Sequence, residues 1–421
     1  MPVNLPFTNR TEELRELDAA ARAGGLLVVF GRRRVGKTRL LTQWLKHRGG
    51  LYSQAIEAAS GIQIDQVMQD IGPSLKTTLA PKTWSEFLEL MRLQEGVGVL
   101  CLDEFPYLVA SDPSLPSVLQ RWLDHQRPEG LTLILSGSSS RAMNDVFLNR
   151  SAPLYQRARK LLHVEPMGYR AFCEACGVRA ERMDSFTRFA LVGGLPKYWE
   201  FVEPRATAVD LAEALFFGRS AFLEDEPARI LRDEGIVGLT ALSVLEAVGR
   251  GAEKPSEIAA RMGTAQTNLG RIFQQLLDAS VLTRQLPFGE SLRSTKRTRY
   301  RIQDPALRFW FQVYSPHRTR WRTYGREEKE RLIQNHASTV FEDYCRSQHP
   351  GAALYWESDL EFDVVREEGG GLVVSEVKFK RLSVSERRRI EEHLAAAWQR
   401  SALARRTPSV VFEVLDGSLL G

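Results

Sequence analysis

A chain of 421 residues, 43% hydrophobic and 26% charged, is too long for one core and too apolar for a disordered chain, so two to four globular domains are expected. The formal net charge of +5 permits contact with nucleic acid without requiring it. Four cysteines cannot frame a disulfide scaffold at this length, no apolar run approaches the roughly 18 residues of a membrane helix, and MPVNLPFTNRTEEL lacks the basic and apolar regions of a signal peptide, so a cytoplasmic protein with no membrane segment is expected.

In chain order, the first buried strand is 26–30 (LLVVF), which runs into GRRRVGKT. Gly31, Gly36, Lys37 and Thr38 fit G-x-x-x-x-G-K-[ST], the phosphate loop. The spacing matters because successive backbone N–H groups must turn inward as an anion nest. A helix must also start at once, so that its N-terminal dipole faces the phosphates; residues 39–46 carry its apolar rhythm. Lys37 is then placed for the β- and γ-phosphates of ATP, and the Thr38 hydroxyl for Mg²⁺. A second buried strand, 98–102, ends in Asp103 and Glu104. Asp103 suits a metal held through water, and Glu104 suits polarising the attacking water. A helix near 116–125 and a strand at 131–135 follow, and the alternation predicts a parallel sheet covered on both faces. That strand runs into SGSSS, where Ser138 or a neighbour would sense the γ-phosphate.

Residues 166–235 carry mainly helical patterns, with an acidic stretch at Glu224, Asp225 and Glu226. The C-x-x-C pair Cys173 and Cys176 has no second pair after it, and a structural zinc site needs four ligands, so it is read as structural coincidence. Helical patterns at 239–248, 255–262 and 264–279, then strands at 281–285 and 299–302 around a polar loop, have the order of a winged helix-turn-helix. Leu269, Ile272, Phe273, Leu276 and Leu277 would face its core. Gln266, Thr267, Asn268 and Arg271 are left for double-stranded DNA, and Arg293, Lys296, Arg297 and Arg299 of the wing suit phosphate contacts. Such a module equally serves to dock a protein partner. Residues 318–326 interleave arginines with aromatics, as a linker or a strand-binding surface would.

From about residue 334 the pattern is helix, three strands, helix, strand. Alternation puts Glu361 and Asp363 on one face of their strand and Glu376 and Lys378 on one face of the next, with Gly369, Gly370 and Gly371 between them. Two carboxylates and a lysine on adjacent strands meet the needs of metal-assisted phosphodiester hydrolysis. Ser383 and Glu386 form a capping box at the start of the last helix.

Taken together, these segments resemble a known group. FTNRTEEL (residues 7–14) is similar to the F-x-G-R-x-x-E-L box of archaeal-type ATPases of the AAA+/STAND P-loop group. GRRRVGKT, PLYQR (153–157), GGLP (193–196) and DPALRFWF (304–311) resemble further motifs of that group. The C-terminal pattern resembles the D…E-x-K core of PD-(D/E)xK nucleases. The resemblance implies a multidomain α/β chain: a P-loop ATPase core (1–165), a helical lid (166–235), a winged helix (236–318), and a linker helix with a nuclease-like domain (319–421). It further implies ATP and Mg²⁺ as cofactors, with Arg10, Arg34, Val35 and Arg39 joining Gly31, Gly36, Lys37 and Thr38 around the nucleotide. Arg157 would sense phosphate, and Glu342 would join Asp363 and Glu376 as metal ligands beside Lys378. DNA engagement is the function implied first; a nucleotide-controlled switch with a protein partner is the alternative, and either allows a homo-oligomer. Asn9 and Gln156 stand where these motifs carry glycine, which is expected to shift the local backbone.

Overall fold

The computed structural model describes residues 5–75, 77, 79–405 and 409–420. Five strands, β1 (Gly25–Phe30), β2 (Leu51–Gln54), β3 (Val99–Asp103), β4 (Thr132–Gly137) and β5 (Ala158–His163), form a sheet of order β2-β3-β4-β1-β5. Every pairing in it is parallel. Helices α1 (Thr11–Ala23), α2 (Lys37–Arg48), α3 (Ser60–Ile71), α4 (Trp84–Leu93), α5 (Phe105–Ser111), α6 (Leu115–His125) and α7 (Ser140–Phe147) accompany it.

The strand period divides this layer into two cores. Leu27 and Val29 of β1 pack with α1 and α2, whereas Leu26 and Val28 pack with α3 to α7. Because the strands are parallel, the ends of β1, β3 and β4 open onto the same edge, where ligands bind in open α/β sheets. The edge strand β5 has no apolar run, and its ARKLLH sequence carries mostly exposed or half-exposed side chains.

Beyond the sheet, α8 (Tyr169–Cys176), α9 (Met183–Val192), α10 (Pro196–Trp199), α11 (Ala208–Ala212) and α12 (Glu226–Asp233) form a helical layer. Both cysteines of the C-x-x-C pair lie buried on α8, and all four cysteines are free. Next come α13 (Leu239–Gly249), α14 (Pro255–Arg261) and α15 (Gly270–Asp278). A two-stranded antiparallel ribbon follows, β6 (Leu282–Gln285) with β7 (Arg299–Ile302). The third helix expected at 264–279 is shorter: a 3₁₀ turn, Gln266–Leu269, precedes it, and the α-helix begins at Gly270.

Segments α16 (Pro305–Phe309) and α17 (Ser315–His317) lead to α18 (Arg326–Ser347), whose 22 residues span about 33 Å. Its buried Ile333, His336, Ala337, Val340, Phe341 and Cys345 follow the helical period and face α9 on one side and the C-terminal sheet on the other. That sheet contains β8 (Ala353–Glu357), β9 (Leu360–Glu368), β10 (Gly371–Lys378) and β11 (Val410–Asp416), in the order β11-β10-β9-β8. It carries helix α19 (Val384–Arg400), which opens with the expected Ser383/Glu386 capping box. Only β10 and β11 pair in parallel; Gly369 and Gly370, at φ 59° and 80°, make the tight turn between β9 and β10. A single apolar cluster runs from Leu27 and Val29 through Phe172, Phe186 and Phe341 to Val364 and Val377, joining the two sheets through the helices. Among the described residues no helix is long and apolar enough to cross a membrane.

Candidate nucleotide site and C-terminal carboxylates

The loop after β1 takes its shape from glycines. Gly31 and Gly36 have φ of 154° and 99°, and a Cβ at Gly31 would lie 2.3 Å from the Val164 carbonyl oxygen. Arg10 braces the loop from behind. Its Nη2 donates to the Val35 carbonyl at 2.8 Å and its Nη1 to the Glu165 carbonyl at 3.0 Å, with Glu13 completing the pair. Arg10 is therefore committed to holding the loop in place.

Lys37 is buried, and its Nζ donates to the carbonyls of Gly31 (2.9 Å) and Arg32 (3.2 Å) and to Ser138 Oγ (3.0 Å). Burial pushes its ammonium below the usual lysine range, while Glu104 and Asp103 oppose that shift. The Thr38 hydroxyl donates to Asp103 Oδ2 at 2.6 Å. The Tyr52 hydroxyl reaches the same oxygen at 3.0 Å, and the Glu104 N–H reaches Oδ1 at 3.0 Å. Asp103 is thus a fully buried carboxylate fed by three donors. Burial, then Asp103, drives the Tyr52 phenol far above its ordinary range. Glu104 holds a left-handed backbone, φ 55°, at the end of β3, a conformation that non-glycine residues keep where the surroundings over-determine it. Its carboxylate accepts from the Ser138 N–H at 3.2 Å and from the Ser138 hydroxyl.

Tyr52 and Glu234 complete this edge, and nothing in the sequence marked either one. Glu234 follows α12 and accepts from Ser139 Oγ (3.1 Å) and from the N–H groups of Ser140 and Arg141 (3.3 Å each), at the start of α7. Burial raises its carboxyl pKa, against those three donors. A cavity of about 420 Å³ opens beside it, lined by Arg33, Glu104, Ser138 and Arg141 among others. At the far end of the loop, Leu5, Phe7, Met167, Pro196 and Trp199 close around Gly36 and Arg39. That slot holds about 30 Å³, room for one water. The Arg39 guanidinium donates to the Leu5 carbonyl across it. Arg34 turns to the helical layer: it pairs with Glu226, lies 3.3 Å from Tyr198 Oη, and stacks 4.9 Å above the Phe222 ring.

Arg157 is not brought to this edge. It precedes β5, whose Ala158 pairs with Leu26, so about 13 Å of strand separates it from the phosphate loop. Its guanidinium is held instead by Asp124 at 3.0 Å, which corrects the expectation of a phosphate-sensing role within its own chain. The expected backbone shift at Asn9 and Gln156 also fails. Both residues adopt the left-handed conformation a glycine would take, φ 47° and 58°.

In the C-terminal unit, β9, β10 and α18 bring Asp363, Glu376, Lys378 and Glu342 to one face. Lys378 Nζ lies 2.6 Å from Glu376 Oε1, and the Val377 N–H donates to Asp363 Oδ2 at 2.8 Å. Burial and then Glu376 push the Asp363 carboxyl up to about 6, and burial and then Asp363 push Glu342 to about 7. Among the described residues, however, no three His, Cys, Asp or Glu side chains form a group that could hold a metal ion. The expected metal set is therefore not closed. Its positive charge comes from Lys378, from Arg301 of β7, whose Nη2 is 3.9 Å from Glu342, and from Arg346 of α18, which donates to the Asp363 carbonyl.

Of the residues expected to meet DNA, Gln266, Thr267, Asn268, Arg271, Arg293 and Lys296 are exposed. Arg297 and Arg299 are engaged within the chain. Arg297 pairs with Glu290 and donates to the Trp356 carbonyl at 3.0 Å. Arg299 pairs with Glu361 at 2.8 Å and stacks 4.5 Å above the Trp356 ring.

Over residues 7–200 the chain matches the family described as ATPase domain predominantly from Archaea. The uncharacterized protein MJECL04 of Methanocaldococcus jannaschii is 26% identical over 321 residues, covering 74% of this chain and 69% of that protein. Among solved structures, the Walker-type ATPase PABY2304 of Pyrococcus abyssi is similar in fold, with a TM-score of 0.53 at 17% identity over 74% of this chain and 99% of that one. The Aeropyrum pernix ORC2 protein, in ADPNP–ADP complexes, is more distant in shape, with a TM-score of 0.46 at 14% identity over 80% of this chain and 96% of that one. Residues 7–200 are an ATPase domain, built on a P-loop, AAA+-like α/β core.

Proposed function

We propose that the chain binds and hydrolyses ATP with Mg²⁺ and couples that cycle to double-stranded DNA. One observation carries the nucleotide half: the Thr38 hydroxyl meets the buried Asp103 carboxylate at 2.6 Å, where loop and strand ends converge. These hard oxygen donors suit Mg²⁺, with Thr38 binding it directly and Asp103 through water. The β- and γ-phosphates take the place of the loop carbonyls and Ser138 around Lys37. Freed from Ser138, Glu104 orients the attacking water, and Ser138 turns to the γ-phosphate. The adenine enters the slot between Leu5, Met167 and Trp199, which must widen to admit it.

Helices α13 to α15 with the β6–β7 ribbon act as a winged helix, offering Gln266, Thr267, Asn268 and Arg271 to a major groove and Arg293 and Lys296 to phosphates. The test is steady-state ATP hydrolysis with and without double-stranded DNA, with Lys37→Ala as the blank. Stimulation by DNA that fades with added salt supports the reading. Turnover indifferent to DNA turns it toward the second reading, a nucleotide-controlled switch with a protein partner. The engagement of Arg297 and Arg299 within the chain favours that alternative.

The C-terminal unit reads as a PD-(D/E)xK-like fold, with Glu342, Asp363 and Glu376 as its acids and Lys378 beside them. Since these acids are not closed around a metal, the fold is assigned a role in DNA contact before one in cleavage. If cleavage is measured and neither Asp363→Ala nor Glu376→Ala reduces it, the site is not its source.

A further inference from the structure

β8 is an outer strand of the C-terminal sheet, and an uncovered edge leaves its backbone polar groups without partners. The ribbon loop, residues 286–298, covers it. The Phe288 N–H donates to the Leu354 carbonyl at 2.8 Å, and the Arg297 guanidinium donates to the Trp356 carbonyl. The Phe288 ring packs against the apolar cluster that holds Tyr355, Trp398 and Leu403. The loop, β8 and the end of α19 are therefore joined in one body.

Charge on this body does not balance. Glu290 is held by Arg297, Glu361 by Arg299 at 2.8 Å, and Asp359 by Arg400 at 3.5 Å. The Glu357 carboxylate accepts from the Ala402 N–H at 2.8 Å and from the Tyr355 hydroxyl at 2.7 Å. Those two bonds, with Arg297 and Arg405 nearby, hold it below the usual carboxylate range. With these acids engaged, Arg293 and Lys296 on the loop and Arg405 just past α19 are left exposed, without an acid partner among the described residues. Arg405 flanks Glu357 together with Arg297, the chain neighbour of Lys296, so the surplus cations lie along one edge. Such a strip suits a polyanion better than a protein. Protein interfaces are anchored by large buried side chains, and among the described residues the loop exposes one large apolar residue, Leu292.

We infer that the ribbon loop and the end of α19 form a single strip for the phosphates of double-stranded DNA, with Arg405 holding the stretch that flanks the ribbon site. The proposal rests on the DNA reading above and extends the contact beyond the winged helix, onto the C-terminal unit. It needs neither metal nor cleavage. Because Phe288 and Arg297 already fix the loop on β8, the two halves of the strip meet the duplex in a set register, with little ordering left to do on binding.

The experiment follows binding of the full chain to a labelled duplex of about 30 base pairs, about three helical turns, by fluorescence anisotropy at a series of salt concentrations. Wild type is compared with Arg405→Ala, Arg405→Lys, Lys296→Ala and Arg389→Ala. Arg405→Ala should make the slope of log affinity against log salt about 0.9 shallower, as Lys296→Ala does, and Arg405→Lys should keep the wild-type slope. Arg389 is exposed on α19, about 16 Å of helix before its end, and controls for charge in general; its loss should leave the slope unchanged. All four side chains are exposed, so melting temperatures equal to wild type confirm that the variants fold. A slope that falls in Lys296→Ala but not in Arg405→Ala, or that falls equally in Arg389→Ala, overturns the strip alone. Wild type that binds no duplex at any salt overturns the DNA reading beneath it.

Discussion

His336 offers a test of how the helical layer is joined to the C-terminal unit. It lies fully buried on α18, with Nε2 2.8 Å from the Ala190 carbonyl of α9, Nδ1 3.1 Å from the side-chain amide of Gln312, and its ring edge-on to Phe309. Burial, with Arg308 adding to it, lowers its pKa to about 3. The unfolded chain keeps a value near about 6.5. Because the folded pKa lies below the unfolded one, the neutral ring stabilises the fold fully above about pH 6.5, and that stability is lost as pH falls. The loss runs at about 1.4 kcal/mol per pH unit, or about 2 kcal/mol between pH 7 and pH 5. His336→Phe keeps a ring beside Phe309 and removes the titrating group. Its stability should be lower at every pH, because two polar contacts are gone, yet about 2 kcal/mol less sensitive to that acid step than wild type. Urea unfolding of both proteins at pH 7 and pH 5, followed by tryptophan fluorescence, reads the difference. Equal acid sensitivity in the two proteins would refute the buried neutral histidine.

Four further outcomes follow from the same geometry. Lys37→Ala should abolish ATP turnover while leaving the melting temperature near that of wild type. Tyr52→Phe removes one of three donors to Asp103, a hydrogen bond to a charged group worth about 1.5–3 kcal/mol; turnover should fall about tenfold at limiting Mg²⁺ and recover as Mg²⁺ is raised. Gly137→Ala would place a Cβ 2.5 Å from Met143 Sδ and 2.8 Å from Pro106 Cδ; an overpacking cost of about 1–3 kcal/mol should appear as a lowered melting temperature. Arg157→Ala should change stability by less than about 1 kcal/mol and leave ATP affinity at the wild-type value in a binding titration, since its partner is the half-exposed Asp124.

The phosphate loop, Asp103 and Glu104 were legible because their spacing encodes backbone geometry, which a short segment fixes without help from distant chain. The same holds for the turn at Gly369 and Gly370. Long-range partnerships left no such trace. Arg33 and Asp233 are 200 residues apart, and nothing in either segment names the other. Tyr52 sits on a four-residue strand too short to show a pattern, and the polar edge strand β5 hid for want of an apolar run. Arg157 was misplaced for a related reason: a motif gives order along the chain, whereas the strand register gives position along the sheet. Asn9 and Gln156 show the reverse limit, since a residue other than glycine holds the glycine conformation when its neighbours require it.

The ion pairs of the ribbon change how its charge should be counted. A guanidinium that leaves Glu361 for a DNA phosphate strands a carboxylate, which then gathers a cation from solution. The counterion released by the DNA is offset by the one taken up, so Arg297 and Arg299 contribute almost nothing to the dependence on salt. Of the ribbon cations assigned to phosphates, only Arg293 and Lys296, exposed and without an acid partner among the described residues, would release counterions outright. If the ribbon meets DNA as proposed, its share of the slope in a plot of log affinity against log salt should be about −2, where counting Arg297 and Arg299 as well predicts between about −3 and −4. Under the proposed DNA-binding reading, a shallow salt dependence would signal an exchange of partners inside the protein and not a weak electrostatic attraction to DNA.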